Sequence, residues 1–201
     1  MDWVSVHVDS DAEQESYMLR VVLIVLVGVT HGRLTCPKYE QLATPTARQL
    51  DPTQYQGYWY EVFSHNVVIV ESCECTRYNW TLTGPTTFTD DFTCHKSHPD
   101  APLFVVHNKG SFHPDERGKM VESLGPARPP YWVLHIWGNY DFALVYACVG
   151  SPLLGEYTYF FSRNASIPAP QYAEMRRFAE ERNISLSGVR EVPMAGCKWA
   201  L

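Results

Sequence analysis

The chain has 201 residues, a formal net charge of −6, and 45% hydrophobic residues, which is enough for the core of one ordinary domain and excludes a largely disordered chain. The acidic balance and the lack of a basic stripe exclude nucleic acid as a partner.

The first thirty-two residues differ from the rest. Arg20 precedes the apolar run Val21–Val29, and Thr30-His31-Gly32 follows it. About 20 apolar residues are needed to span a bilayer, so the pattern predicts a secretory signal ending near Gly32. The acidic lead over 1–17 is unusual for a signal and makes Met18 a candidate start. The segment carries five acids (Asp2, Asp9, Asp11, Glu13, Glu15) and one base (Arg20), so the remaining domain, 33–201, is close to neutral.

Short aromatic-rich and β-branched segments separated by Gly, Pro, Asp and Asn then recur. They predict strands at Gly57–Ser64, Thr76–Thr83, Thr86–Thr93, Leu103–Asn108, Lys119–Leu124, Tyr131–Ile136, Phe142–Val149 and Tyr157–Arg163. Eight such segments at this spacing predict an all-β sandwich or barrel. The fourth and fifth are short, with Pro114, Pro126, Pro129 and Pro130 nearby. Next, Gln171–Arg182 places Tyr172, Met175, Phe178 and Ala179 at helical spacing, with charges mostly on the other side. A final strand is expected at Ile184–Val189.

The six cysteines, Cys36, Cys73, Cys75, Cys94, Cys148 and Cys197, read as disulfides behind a signal peptide, and spacing alone leaves their pairing open. Three sequons, at Asn79, Asn164 and Asn183, predict glycosylation on the secretory route. If Asn79 carries a glycan it faces solvent, so Tyr78 and Trp80 turn inward. In the next segment Phe88, Asp90 and Phe92 share a face. Two aromatics mark it as the inner one, burying Asp90 either as a polar anchor for a ligand or as a structural hydrogen-bonding group.

Three separated motifs resemble the lipocalin family in the right order: Gly57-Tyr58-Trp59 after Asp51, Phe142–Cys148, and Phe160-Phe161-Ser162-Arg163. Within that family the likeness is to apolipoprotein D-like lipocalins, through Pro130–Leu134 and Cys75…Asn79-Trp80-Thr81-Leu82. The resemblance implies an eight-stranded antiparallel up-and-down β-barrel with a C-terminal α-helix, over one domain spanning 33–201. It further implies a floor of Gly57, Trp59 and Arg163, disulfides Cys36–Cys148 and Cys75–Cys197, and a remaining Cys73–Cys94 pair. One departure stands out: the turn Trp137-Gly138-Asn139-Tyr140-Asp141 lacks the family's Thr-Asp-Tyr.

The implied function is secreted binding and transport of a small hydrophobic ligand, such as a lipid, sterol, retinoid or carotenoid. Expected wall residues are Tyr78, Trp80, Phe88, Asp90, Phe92, Phe104, Trp132, Tyr159 and Phe161. The loop 65–71, with aliphatics at Val67, Val68, Ile69 and Val70, is expected to act as a lid or to touch lipoprotein or a membrane surface. The rival is a lipocalin-type enzyme, an isomerase or a de-epoxidase, with Cys73 and Cys94 as the thiols to check for a nucleophile and Asp90 as a candidate acid. No catalytic residue, metal or cofactor is expected. Cys73-Glu74-Cys75 and Cys94-His95 lack zinc spacing, and His65, His107, His113 and His135 are scattered, so a haem or bilin binder is the weaker alternative. A protein-binding module with a filled barrel is a further alternative.

Overall fold

A computed structural model describes residues 36–65, 72–123, 128–148 and 155–199. The expected signal over 1–32, Met18 included, the loop at 66–71, and the strand ends Leu124 and Val149 lie outside the described residues.

Three one-turn helices lead into the barrel: α1 (Tyr39–Leu42), α2 (Pro45–Arg48) and α3 (Pro52–Tyr55). Four residues are too few for a periodic apolar stripe, so the sequence signal for them is in their caps. Thr44 and Asp51 accept hydrogen bonds from the first turns of α2 and α3, each with proline just inside.

Eight strands follow: β1 (Gly57–His65), β2 (Cys73–Leu82), β3 (Thr87–Lys96), β4 (Leu103–Phe112), β5 (Lys119–Ser123), β6 (Pro130–Trp137), β7 (Phe142–Cys148) and β8 (Glu156–Ser162). All pair antiparallel with their sequence neighbours, and β1 pairs with both β2 and β8, which closes the cylinder. The expected barrel is therefore present. Several boundaries are corrected: β2 begins at Cys73 rather than Thr76, and β3 runs on to Lys96 rather than Thr93. β4 runs on to Phe112 instead of ending at Asn108, because its ladder with β3 continues to Thr87↔Ser111. The final strand is β9 (Arg190–Glu191) rather than Ile184–Val189. Ile184 instead donates its backbone N–H to Ala179 at the end of the helix and is buried.

The seam between β1 and β2 shapes one end of the barrel. These strands pair only from Gly57↔Trp80 to Tyr60↔Arg77. Beyond that, β9 takes the free edge of β1, at Phe63↔Glu191 and Ser64↔Arg190. The N–H of Cys75 donates to the Pro193 carbonyl at 2.8 Å, and the Cys75–Cys197 disulfide pins the tail there. Cys75 has φ 56, and the β2–β3 register shifts between Glu74 and Arg77, so the chain bends out of strand alternation at this point.

The core has two compartments. Inside the barrel pack Leu50, Tyr55, Trp59, Tyr78, Trp80, Phe88, Phe92, Phe112, Met120, Tyr131, Val133, Val145 and Phe161. Outside it, helix α4 (Ala169–Glu181) buries Met175, Phe178 and Ala179 against Leu134, Leu144, Tyr146 and Phe160, and Tyr39 and Leu42 extend the same layer. The predicted helix is thus present over nearly its predicted length. β6 and β7 are covered on both faces and read as nearly continuous apolar runs.

The disulfides are Cys36–Cys148, Cys73–Cys94 and Cys75–Cys197, as the resemblance implied. All six cysteines are paired.

Candidate functional site: the barrel interior

The floor is built where α3 turns into β1. Gly57 has φ +98, a conformation that strains any residue with a Cβ, and the added Cβ would lie 3.5 Å from Arg163 Nη1. The chain can therefore turn under the barrel and place Trp59 inward at once. Trp59 is fully buried, and its indole N–H donates to the Tyr55 carbonyl at 2.7 Å. The Arg163 guanidinium lies 3.8 Å from the Trp59 ring centroid. Its three nitrogens donate to the carbonyls of Tyr140 (3.1 Å), Tyr58 (2.8 Å), Gln54 (2.7 Å) and Tyr55 (3.0 Å). A cation–π contact of this kind contributes roughly 0.5–2 kcal/mol, and the four carbonyls fix the guanidinium plane beneath the ring.

The unusual 137–141 turn joins this floor. Gly138 (φ 63) and Tyr140 (φ 64) let it double back. The Tyr140 hydroxyl accepts the Asp51 N–H at 2.8 Å, while its carbonyl accepts from Arg163. The departure in sequence leaves the floor closed.

Above the floor the wall is aromatic. Trp80 stacks on Phe88 at 3.8 Å between centroids and meets the edge of Tyr55 at 5.2 Å. Phe88 lies across β4 at Gly110, where any Cβ would collide with its ring. Tyr78 packs between Phe92 (5.1 Å) and Phe161 (5.0 Å), and Phe104 and Tyr159 join from one side each. The structure therefore brings together Tyr78, Trp80, Phe88, Asp90, Phe92, Phe104, Tyr159 and Phe161.

Trp132 is a correction: it lies in the outer layer, 5.6 Å from Tyr39 and 6.2 Å from Tyr146. Its neighbours Tyr131 and Val133 turn inward instead. Because both faces of β6 are buried, the strand offers no polar alternation from which to tell inside from outside.

Sequence reasoning also missed polar residues of the interior. Glu61, two residues beyond Trp59, is fully buried and accepts the Tyr78 hydroxyl at 2.9 Å. Burial pushes its carboxyl up to about 7, although the Tyr78 hydroxyl and the Arg190 charge act the other way. Asp90 is fully buried and sits in register between Trp80 on β2 and Asn108 on β4. Glu122 on β5, register partner of Gly110 and so one inward position along from Asp90, brings its carboxyl against that of Asp90. Burial raises the Asp90 carboxyl well above its usual range, and the adjacent Glu122 raises it further; burial also raises Glu122. Burial and their mutual charge both oppose ionising the two acids together. Nearby, the hydroxyls of Tyr55 and Tyr131 meet at 3.2 Å, and burial raises both phenols.

Cys73 and Cys94, bonded to each other, leave no cavity thiol for the enzyme reading. The histidines weighed as ligands do not gather. His107 is exposed beside Asp91, His113 is exposed, His135 stacks on Phe178 in the outer layer, and His65 faces the C-terminal tail near Ser187. Among the described residues, no three His, Cys, Asp or Glu side chains are grouped to hold a metal. Of the sequon asparagines, Asn79 is half-buried, and Asn164 and Asn183 are exposed.

An eight-stranded cylinder, closed at one end and lined by rings, falls in the size class of small β-barrels whose interior is filled or holds one small ligand. A lipocalin-like domain matches residues 50–194, and the chain belongs to that family. Lobster apocrustacyanin A1 superposes with a TM-score of 0.66 at 15% identity, over 83% of this chain and 91% of that one. Insecticyanin from the tobacco hornworm Manduca sexta gives 0.64 at 14% identity, over 83% and 90%. The siderocalin Ex-FABP, described as having dual ligand specificities, gives 0.56 at 18% identity, over 73% and 99%. No curated protein matches by sequence.

Proposed function

We propose that the chain is a secreted carrier that holds one small hydrophobic molecule inside the barrel. What carries this reading is the contrast between the barrel's floor and its wall. The floor is sealed by Trp59 over Arg163, and the wall above is built from Trp80, Phe88, Phe92, Phe104 and Phe161. Binding would draw on desolvation, at about 25 cal/mol per Å² of apolar surface removed from water. Three disulfides support an oxidising, extracellular setting, with glycans at Asn79, Asn164 and Asn183. Membership of the apolipoprotein D-like branch is part of the proposal and rests on Pro130–Leu134 and the Cys75–Leu82 segment. So is lipoprotein or membrane-surface contact through the aliphatic run at 67–70. Pairing of Cys73 with Cys94 supports a binding protein over a thiol enzyme.

Native mass spectrometry of protein purified from a eukaryotic secretory host tests the reading. The expected result is a single small-molecule adduct at one-to-one stoichiometry, lost on denaturation and retained in Trp132→Leu, whose ring lies outside the lumen. Failure to retain any molecule, together with no uptake from a mixed lipid extract, would overturn it.

A further inference from the structure

Three carboxylic acids are buried in the interior: Glu61, Asp90 and Glu122. Among the described residues no lysine or arginine is buried to balance them. Glu61 has the Tyr78 hydroxyl. The other two have only each other: apart from the contact between the two carboxyls, no donor of the protein reaches either oxygen of Asp90 or Oε1 of Glu122. The indole N–H of Trp80, register partner of Asp90, is also without an acceptor. A buried polar group left unsatisfied costs about 1–3 kcal/mol, and a shared proton relieves only one contact of this set.

Most of these orphans are acceptors. An alcohol brings one donor, whereas an ammonium brings three and a positive charge. A carboxylate head would meet like charge. Trp80, stacked on Phe88, makes the surroundings of Asp90 apolar.

We infer that the interior selects a small molecule with an apolar body and a basic amine head, the ammonium seated against Asp90 and Glu122 and the body against Trp80, Phe88 and Phe92. This rests on the reading that the barrel interior is the ligand site. The groups around the acid pair are the phenols of Tyr55, Tyr78, Tyr131 and Tyr159, with Glu61 on β1 and Asp91 next in the chain. None is a cation, so the ligand is the source of positive charge. Seating it releases the proton that Asp90 and Glu122 share, and amine affinity rises with pH until the amine itself deprotonates.

Calorimetric titration with phenethylamine, propylbenzene and 3-phenylpropanoate at pH 8 tests this, using protein stripped of any co-purified molecule. Phenethylamine should bind at least about tenfold more tightly than propylbenzene, equivalent to about 1.4 kcal/mol. 3-Phenylpropanoate should bind most weakly, and only the amine's heat should change with the ionisation enthalpy of the buffer. Asp90→Asn and Glu122→Gln should each lower the ratio of amine to propylbenzene affinity toward one. Should the variants fail to fold, the three-probe series on the unaltered protein decides alone. Equal or tighter binding of propylbenzene, or failure of the amine to bind, overturns the amine assignment. The adduct experiment above judges the carrier reading separately.

Discussion

The floor and the wall of this barrel satisfy their polar groups in opposite ways. At the floor, Arg163 is half-buried and donates to four backbone carbonyls, and Trp59 has an acceptor for its N–H. On the wall, Asp90 is fully buried with only the Glu122 carboxyl beside it, and Trp80 has no acceptor. Both regions are aromatic, so composition alone does not separate them. Hydrogen-bond satisfaction does. A completed network holds the floor, and the proposed ligand would complete the one left open at Asp90 and Trp80.

Substitutions should break this contrast unequally. The largest effect is expected at the floor: Trp59→Ala should lower stability by about 3–5 kcal/mol, read as a drop in urea midpoint. A change below about 1 kcal/mol would mean the indole is not the plug. The interior acids should act through pH. The Glu61 pKa rises in the fold from its ordinary 4.5 to about 7, so the folded state keeps a proton that the unfolded chain releases. Stability from this group is complete below about pH 4.5 and is lost as pH rises to about 7, a fall of the order of 3 kcal/mol. Asp90 and Glu122 are shifted in the same direction and add to the decline. Urea titrations across this range should show it, and Glu61→Gln should flatten its part. The smallest effect, a gain of about 1 kcal/mol, is expected for Asp90→Asn at pH 8, where a floor substitution could only lose. A loss there would place Asp90 among the structural groups.

Much of the architecture was legible in the sequence because it depends on local signals. Gly57 and Trp59 mark the floor, Phe88 and Phe92 flank Asp90 at strand period, and Met175, Phe178 and Ala179 follow helical spacing. The disulfide pairing is a different matter. It came with the family resemblance, since the bend at Cys75 sends Cys73 and Cys75 to different partners despite their two-residue spacing. Glu122 was hidden by chemistry rather than by pattern: it follows inward Met120 by two residues, yet a lone glutamate ordinarily faces water. Trp132 was misplaced because covered strands carry large apolar residues on both faces. β9 was missed because two residues paired to a seam leave no alternation to read.

The carboxyl protonation of Asp90 and Glu122 tests the account most directly. Carbon-detected NMR of the two side-chain carboxyls should show one proton retained by the pair at neutral pH in the free protein, and its loss when phenethylamine is added. If both acids instead ionise below pH 5 like exposed carboxylates and do not respond to the amine, the wall is not an unfinished site and the account fails.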